Sequence, residues 1–333
     1  SYTISTEDWT IYNTTNSGLS NDAVAGIDVD PQGNIWFATK GGVCSFNGSE
    51  WKSWTSVNSL LPNSPVYDIA VAPDSSVWVA THMGIGVFDG KTWSVYNKSN
   101  SGLVSDWVSE IEISPKGVVW IGTEGSYVMS FDGKTWQRYN STNSQFRGAW
   151  INDMCLDKSG QPWTAADHYL CGFDGAAWKT YDTTIGGKAL GAYSVAIAPD
   201  DTIWGSASAS LVKWTAEGWD QYTHENSGLP NYVPYDIVFD GSGVLWIASA
   251  GLVRFDGNTW QTWNTSNSPL PSNSISRLKF DNAGNLWIAT NDKGIAKITL
   301  HGTQPSFTVT IDPSLEPNVK TIPRKNDRIR TVG

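Results

Sequence analysis

The sequence predicts an all-β chain folded as a seven-bladed β-propeller with four-stranded blades, and three observations lead there. Tryptophan returns at Trp36, Trp78, Trp120, Trp163, Trp204, Trp246 and Trp287, at intervals of 41 to 43 residues, each time in an aliphatic run behind a polar turn. A second tryptophan recurs with it, at Trp9, Trp51, Trp93, Trp136, Trp178, Trp219 and Trp260. Short apolar segments bounded by glycine-bearing turns fill every copy, and a period of this size built from short strands marks a propeller blade.

Each repeat divides into four strands around its central tryptophan. The first carries apolar residues nine and seven positions before it, as in Ile27/Val29, Ile69/Val71 and Leu278/Phe280, the period-two signature of a half-buried strand. A turn such as Asp30-Pro-Gln-Gly33 or Asp281-Asn-Ala-Gly284 follows, with Asp at i and Gly at i+3 as a type I turn prefers. The tryptophan strand comes next. A third strand ends in Phe-Asp-Gly at Phe88, Phe131, Phe173 and Phe255, or Phe-Asn-Gly at Phe46, which predicts a tight type I′ hairpin. The fourth strand holds the second tryptophan.

The first such outer strand, around Trp9, precedes any innermost strand, while the last repeat stops after Gly294-Ile-Ala-Lys-Ile-Thr299. The N-terminal strand is therefore expected to complete the last blade and close the ring, which removes open sheet edges. Residues 1–300 form the propeller, and 301–333 an extended tail. That tail is Pro-interrupted and basic (Lys320, Arg324, Lys325, Arg328, Arg330), with one strand-forming run, Phe307 to Ile311. It reads as a flexible end, the start of a further domain, or a docking arm.

A net charge of -10, with no Lys/Arg cluster on the repeats, argues against nucleic acid and anionic membrane. Apolar runs are strand-length, so membrane insertion is not expected. Cys44, Cys155 and Cys171 fall in repeat slots too far apart to pair, and three reduced thiols are expected. The Ser/Thr/Asn-rich, Lys-poor surface leans extracytoplasmic.

The repeated core Ile-x-x-Asp-x-x-Gly-x-x-Trp-x-Ala-Thr, as in Ile27 to Thr39 and again at Leu278 to Thr290, resembles the two-component regulator propeller repeat. The resemblance covers about residues 9–300. It implies the propeller fold and kinship with periplasmic sensor regions of hybrid histidine kinases, associated with glycan-derived signals, and with stand-alone secreted proteins. A single ring, read here without an immunoglobulin-like domain or kinase, shifts the expectation from sensing toward binding. The blade style is more distantly similar to propeller lyases that open cyclic peptide antibiotics, but no residue here is placed as theirs.

Of the 19 tryptophans, repeat bookkeeping assigns all but Trp107 and Trp150 to packing between blades. Both stand thirteen residues before a central tryptophan, in loops entering the innermost strands of blades three and four. There they are placed to stack on a sugar or a peptide side chain, or else to plug a gap beneath loops. Ten residues before the central tryptophan stand Asp68, Glu110, Asp153 and Asp236, with Gly26, Ser194 and Arg277 in the other blades. These are expected to ring the mouth of the central channel, where carboxylates suit a hard cation such as Ca²⁺ or a cationic ligand. They equally suit bonds to neighbouring amides or contact with water, and Arg277 argues against a strict metal ring. His82, His168 and His224 lie on the same face but on separate blades, so no metal site is assigned. No catalytic motif is present.

Departures from the repeat concentrate in blades three to five, with Trp107, Arg147, Trp150, His168, the loss of a hydroxyl at Ala166 and Ala207, and the irregular crossing Thr183 to Leu190. Repeat rules yield at functional sites. The expectation is a non-catalytic extracytoplasmic binding propeller, without a resident cofactor, that takes a glycan or peptide through Trp107, Glu110, Arg147, Trp150, Asp153 and His168. Asp68, Asp236 and Arg277 are expected at its channel mouth. The alternatives are an assembly module that self-associates through 303–333 and, third, a propeller lyase or hydrolase.

Overall fold

The computed structural model describes residues 4–62, 65–125 and 127–300. Among them, seven four-stranded antiparallel sheets follow one another in chain order. Blade one consists of Val24–Val29, Ile35–Thr39, Gly42–Phe46 and Trp51–Trp54, and later blades copy that plan. Each first strand lies against the first strand of the next blade, and Val24–Val29 lies against Ile275–Phe280, so the ring closes. Trp9–Tyr12 pairs with Ile295–Ile298, Trp9 opposite Ile298, and supplies the outer strand of blade seven as the sequence predicts. The tail, with its run at Phe307 to Ile311, lies outside the described residues.

Burial explains the sequence pattern of a blade. The second strand is covered on both faces by neighbouring blades, and Ile35–Thr39 is buried at every residue, which is why it reads as an unbroken apolar run. The outer strand Trp51–Trp54 has only its ends half-buried. Aromatic side chains fill the wedge between blades. Trp36 stacks on Trp54 at 5.2 Å and Trp246 on Trp263 at 5.9 Å, while Tyr12 of the closing strand stacks on Trp287 at 5.8 Å.

The Asp-x-x-Gly turn has a second task. Gly284 N–H donates to Asp281 O at 2.9 Å, as the type I turn requires. The Asp281 carboxylate meanwhile accepts from Ala283 N, Asn285 N, Asn285 Nδ2 and the indole Nε1 of Trp287, at 2.9 to 3.0 Å for the amides, 2.8 Å for Nδ2 and 2.9 Å for the indole. Asp30 and Asp240 likewise accept from Trp36 and Trp246. One side chain thus fixes the turn and orients the tryptophan behind it.

One local expectation needs correction. The Phe-Asp-Gly hairpins are four-residue loops rather than type I′ turns. Asp89 is not left-handed; its carboxylate accepts from Lys91 N and Thr92 N at 2.8 and 2.7 Å, and Gly90 takes the positive φ of 88°. In the blade-to-blade crossing Asn16-Ser-Gly-Leu19, a motif that recurs at Asn100 and Asn226, Gly18 is needed because a methyl there would collide with Trp51 of the next blade. The crossing without the motif forms a small hairpin, Thr184–Ile185 with Lys188–Ala189. All three cysteines are free.

Replacing Asp281 by Ala should destabilise the fold by about 1–3 kcal/mol, because it strips an acceptor from four donors. Asp281→Asn should recover only part, since its amide nitrogen would face the donors of Trp287 and Asn285. Chemical denaturation of both variants checks this; a loss for Asp281→Ala under about 0.5 kcal/mol would remove the turn from its assigned role.

Candidate functional site

The innermost strands enter the ring at the face that also carries the loops joining second to third strands. In blades one to five and seven, the ladder slips by one residue at this end, as between Val66 and Asp68. A bulge of this kind leaves one residue outside the alternation and re-aims its side chain. Tyr67 is that residue in blade two.

Tyr67 begins a run of touching rings. It stacks on His82 at 4.1 Å between centroids and 23° between planes, with its hydroxyl 3.0 Å from Nδ1. His82 packs on Trp107 at 3.8 Å, and Trp107 meets Trp150 edge to face at 6.3 Å and 74°. Burial between rings lowers the pKa of His82 against the opposing pull of Glu124. Trp107 is 38% exposed and Trp150 50%. Among the described residues they are the exposed tryptophans, and the structure brings them together as a shelf from adjacent blades.

The loops beneath the shelf are tied down. Trp107 N donates to Ser105 Oγ at 3.2 Å, and its carbonyl accepts from Glu124 N at 3.1 Å. Ala149 N donates to Asp167 Oδ2 at 2.6 Å. Fully buried Phe146 roots the segment on Trp178. Gly148, at a φ of 120°, lies so close to Ala166 that a methyl there would strike that side chain. The hydroxyl missing at Ala166 is thus the space the loop needs. Arg147 is exposed in the same loop, three residues before Trp150, its Nη1 bonded to Phe146 O at 3.4 Å. His168 packs on Tyr169 at 4.1 Å instead of joining the run.

Glu110 and Asp153 are not on the shelf. With Asp68 and Asp236 they lie buried in the channel around one guanidinium, which corrects the open mouth inferred from their position in the repeat. Arg277 Nη1 donates to Asp153 Oδ1 at 2.6 Å; Nη2 donates to Glu110 Oε2 at 2.9 Å and lies 3.7 Å from Asp68 Oδ1. The cation at the centre of these carboxylates is therefore Arg277. The same carboxylates staple successive blades: Asp68 accepts from Ile111 N at 3.0 Å, Asp153 from Ser194 Oγ at 2.6 Å and Val195 N at 3.0 Å, and Asp236 from Leu278 N at 2.6 Å. One step further down, Lys279 pairs with Asp28 at 2.7 Å.

Such crowding moves protons. Burial pushes Asp68, Glu110 and Asp236 up against the pull of Arg277, Asp236 to about 7. Glu112 rises to about 8, through burial first, with Lys279 opposing and Asp28, Asp68 and Asp153 reinforcing. Burial also works against the charge of Arg277, yet the Glu110, Asp68, Asp153 and Asp236 carboxylates hold it protonated.

Residues 269–292 match the model of the two component regulator propeller, over the turn and tryptophan strand of blade seven. No curated protein matches the sequence. Among solved structures, the extracellular domain of a hybrid two component system from B. thetaiotaomicron is similar at a TM-score of 0.71 and 20% identity, over 90% of this chain and 42% of that one. PorZ, a surface component of the type-IX secretion system of Porphyromonas gingivalis, is similar at 0.69 and 17%, over 87% and 47%. Virginiamycin B lyase from Staphylococcus aureus gives 0.70 and 17%, over 88% and 99%. At these identities the likeness is one of fold. This chain spans less than half of the first two. Among the described residues no helix is long and apolar enough to cross a membrane.

Two outcomes follow for the channel. A carboxyl whose folded pKa is raised stabilises the fold fully below its unfolded pKa and loses that contribution as pH rises through the folded value. With Asp236 going from 3.8 to about 7 and Glu112 from 4.5 to about 8, Tm should fall between pH 5 and pH 8.5. Glu112→Gln should flatten that slope; an unchanged slope rejects Glu112 as a source. Arg277→Met, which leaves the carboxylates without their cation, should cost about 3–5 kcal/mol at pH 8 and less at pH 5, as urea titrations at the two pH values would show.

Proposed function

We propose that this chain is an extracytoplasmic, non-catalytic ligand-binding propeller whose shelf of Tyr67, His82, Trp107 and Trp150 takes a glycan or a peptide. One observation carries the reading: of a tryptophan set otherwise packed between blades, the two off-pattern members stand exposed and in edge-to-face contact. Exposed aromatic pairs on tied-down loops are unusual where nothing binds, because burying such rings is worth more than solvating them.

Two further observations support it. Glu110 and Asp153, the carboxylates that acid–base chemistry would call on, are committed to Arg277. The similar solved structures include an extracellular domain of a two component system, in keeping with an extracytoplasmic role, and also a lyase, so the preference for binding over catalysis rests on the committed carboxylates. Arg147, in the same loop as Trp150, is a polar contact for the ligand.

An array of glycans, muropeptides and short peptides, probed with the native protein and with the Trp107→Ala/Trp150→Ala variant, tests the site. Each ring lost should weaken a true hit by roughly tenfold, with the circular dichroism spectrum unchanged. A hit that survives the double substitution undiminished places the site elsewhere.

A further inference from the structure

A second group of exposed rings stands on the same face, on the far side of the shelf. Tyr193 is the bulge residue of blade five. Tyr235 occupies the matching position in blade six, and the two rings lie 6.3 Å apart at 73°. Tyr232, in the loop that enters blade six, lies 6.1 Å from Tyr235 at 66°. Tyr232 and Tyr235 are 49% and 46% exposed. Their backbones are held: Tyr235 N donates to Ala248 O at 2.8 Å, and Tyr232 O accepts from Ser249 Oγ at 3.4 Å.

Asn152, the bulge residue of blade four, joins the two groups. It follows Trp150 by two residues, and its Nδ2 donates at 2.7 Å to the carbonyl of Ala192, the neighbour of Tyr193. Trp107, Trp150, Asn152, Tyr193, Tyr235 and Tyr232 therefore form one arc over blades three to six. In blades seven and one the same bulge position holds Ser276 and Ala25, so the arc has ends and does not close on itself.

The chemistry of the arc is uniform. None of its six side chains is charged, and the carboxylates below are occupied by Arg277 and Lys279. Rings with hydroxyl, amide and indole N–H groups beside them suit a ligand whose units each have an apolar C–H face and a rim of hydroxyls. Peptide capture by strand addition needs a free sheet edge and capture of acidic motifs needs a basic cluster, and the arc offers neither; a Pro-rich peptide, which docks in aromatic-lined grooves, is the competing occupant that the peptide array tests. Resting on the shelf being a ligand site, we propose that the arc is a multi-subsite groove for a neutral linear oligosaccharide. The tryptophans hold one end of the chain and the tyrosines the other.

Calorimetric titration with cello-, xylo-, manno- and malto-oligosaccharides of two to seven units tests the proposal. In a series that binds, affinity should rise at least about tenfold from the disaccharide to the hexasaccharide. Tyr232→Ala/Tyr235→Ala should abolish that gain and leave disaccharide binding intact, while Tyr232→Phe/Tyr235→Phe, which keeps the rings, should retain most of it. Affinity that does not grow with length, or a hexasaccharide indifferent to the alanine pair, overturns the arc but leaves the tryptophan shelf standing. Silence across all four series, with a peptide hit that the tryptophan variant loses, overturns the ligand class and again spares the shelf. Silence in every series and array overturns both.

Discussion

Closing seven sheets into a ring forces one side chain from every innermost strand onto a common axis, and the rest of the molecule is arranged around how that crowding is resolved. At the level ten residues before each central tryptophan, four carboxylates converge, and burial of that much like charge would oppose closure. A single guanidinium answers them. Arg277 reaches across from blade seven to Asp153 and Glu110, on the opposite side of the ring, while Gly26 leaves room for Asp68, whose Oδ1 a methyl there would approach to 2.9 Å. The remaining oxygens do not idle; they accept amides of the next blade. The axis is thus both the charge store and the clasp between successive blades.

Because the axis is committed to holding the ring, the proposed recognition surface is the rim. Six of the seven innermost strands start with a bulge, which lifts one residue out of each of those ladders. In a ladder without the slip, Tyr67 and Tyr193 would keep to the strand's alternation instead of standing at its rim. A device that accommodates the twist of crowded strands therefore also presents side chains on the face proposed to bind, without altering the core.

The period made much of this legible. The two tryptophans and the strand order around them repeat seven times, the Asp-x-x-Gly turn recurs at Asp30, Asp157, Asp240 and Asp281, and the outer strand around Trp9 gives the ring closure, so each was visible in spite of local variation. Trp107 and Trp150 were found because they broke the pattern. Tyr67 and Tyr193 were missed for the opposite reason: they occupy a regular slot, eleven residues before Trp78 and Trp204, and what sets them apart is a slip in pairing that no single strand encodes. Glu110 and Asp153 were misplaced because their partner lies 167 and 124 residues away in sequence. Charge alone placed them beside the tryptophans, and only the closed ring brings Arg277 between them.

The irregular blades also show how departures from the repeat are accommodated. In regular blades a threonine hydroxyl ties down the loop between second and third strands, as Thr81 Oγ1 does to Gly84 O at 2.8 Å. Where blade five has Ala207, Ser210 Oγ bonds the Ala207 carbonyl at 2.5 Å, and at the crossing beside blade four Thr183 Oγ1 donates to His168 O and Leu190 O at 2.8 and 2.6 Å. Hydrogen bonds surrendered in the repeat are thus remade from other positions. Ala166 goes further, since the volume its hydroxyl would need is taken by the close approach of Gly148, and Asp167 holds the next amide of that loop. The loop is thereby seated against blade four at Gly148, with Trp150 two residues further along it. Trp107 stands exposed in blade three with Thr123 in place, so the exposure of the tryptophans belongs to their loops, and the lost hydroxyl of blade four to the seating of Gly148.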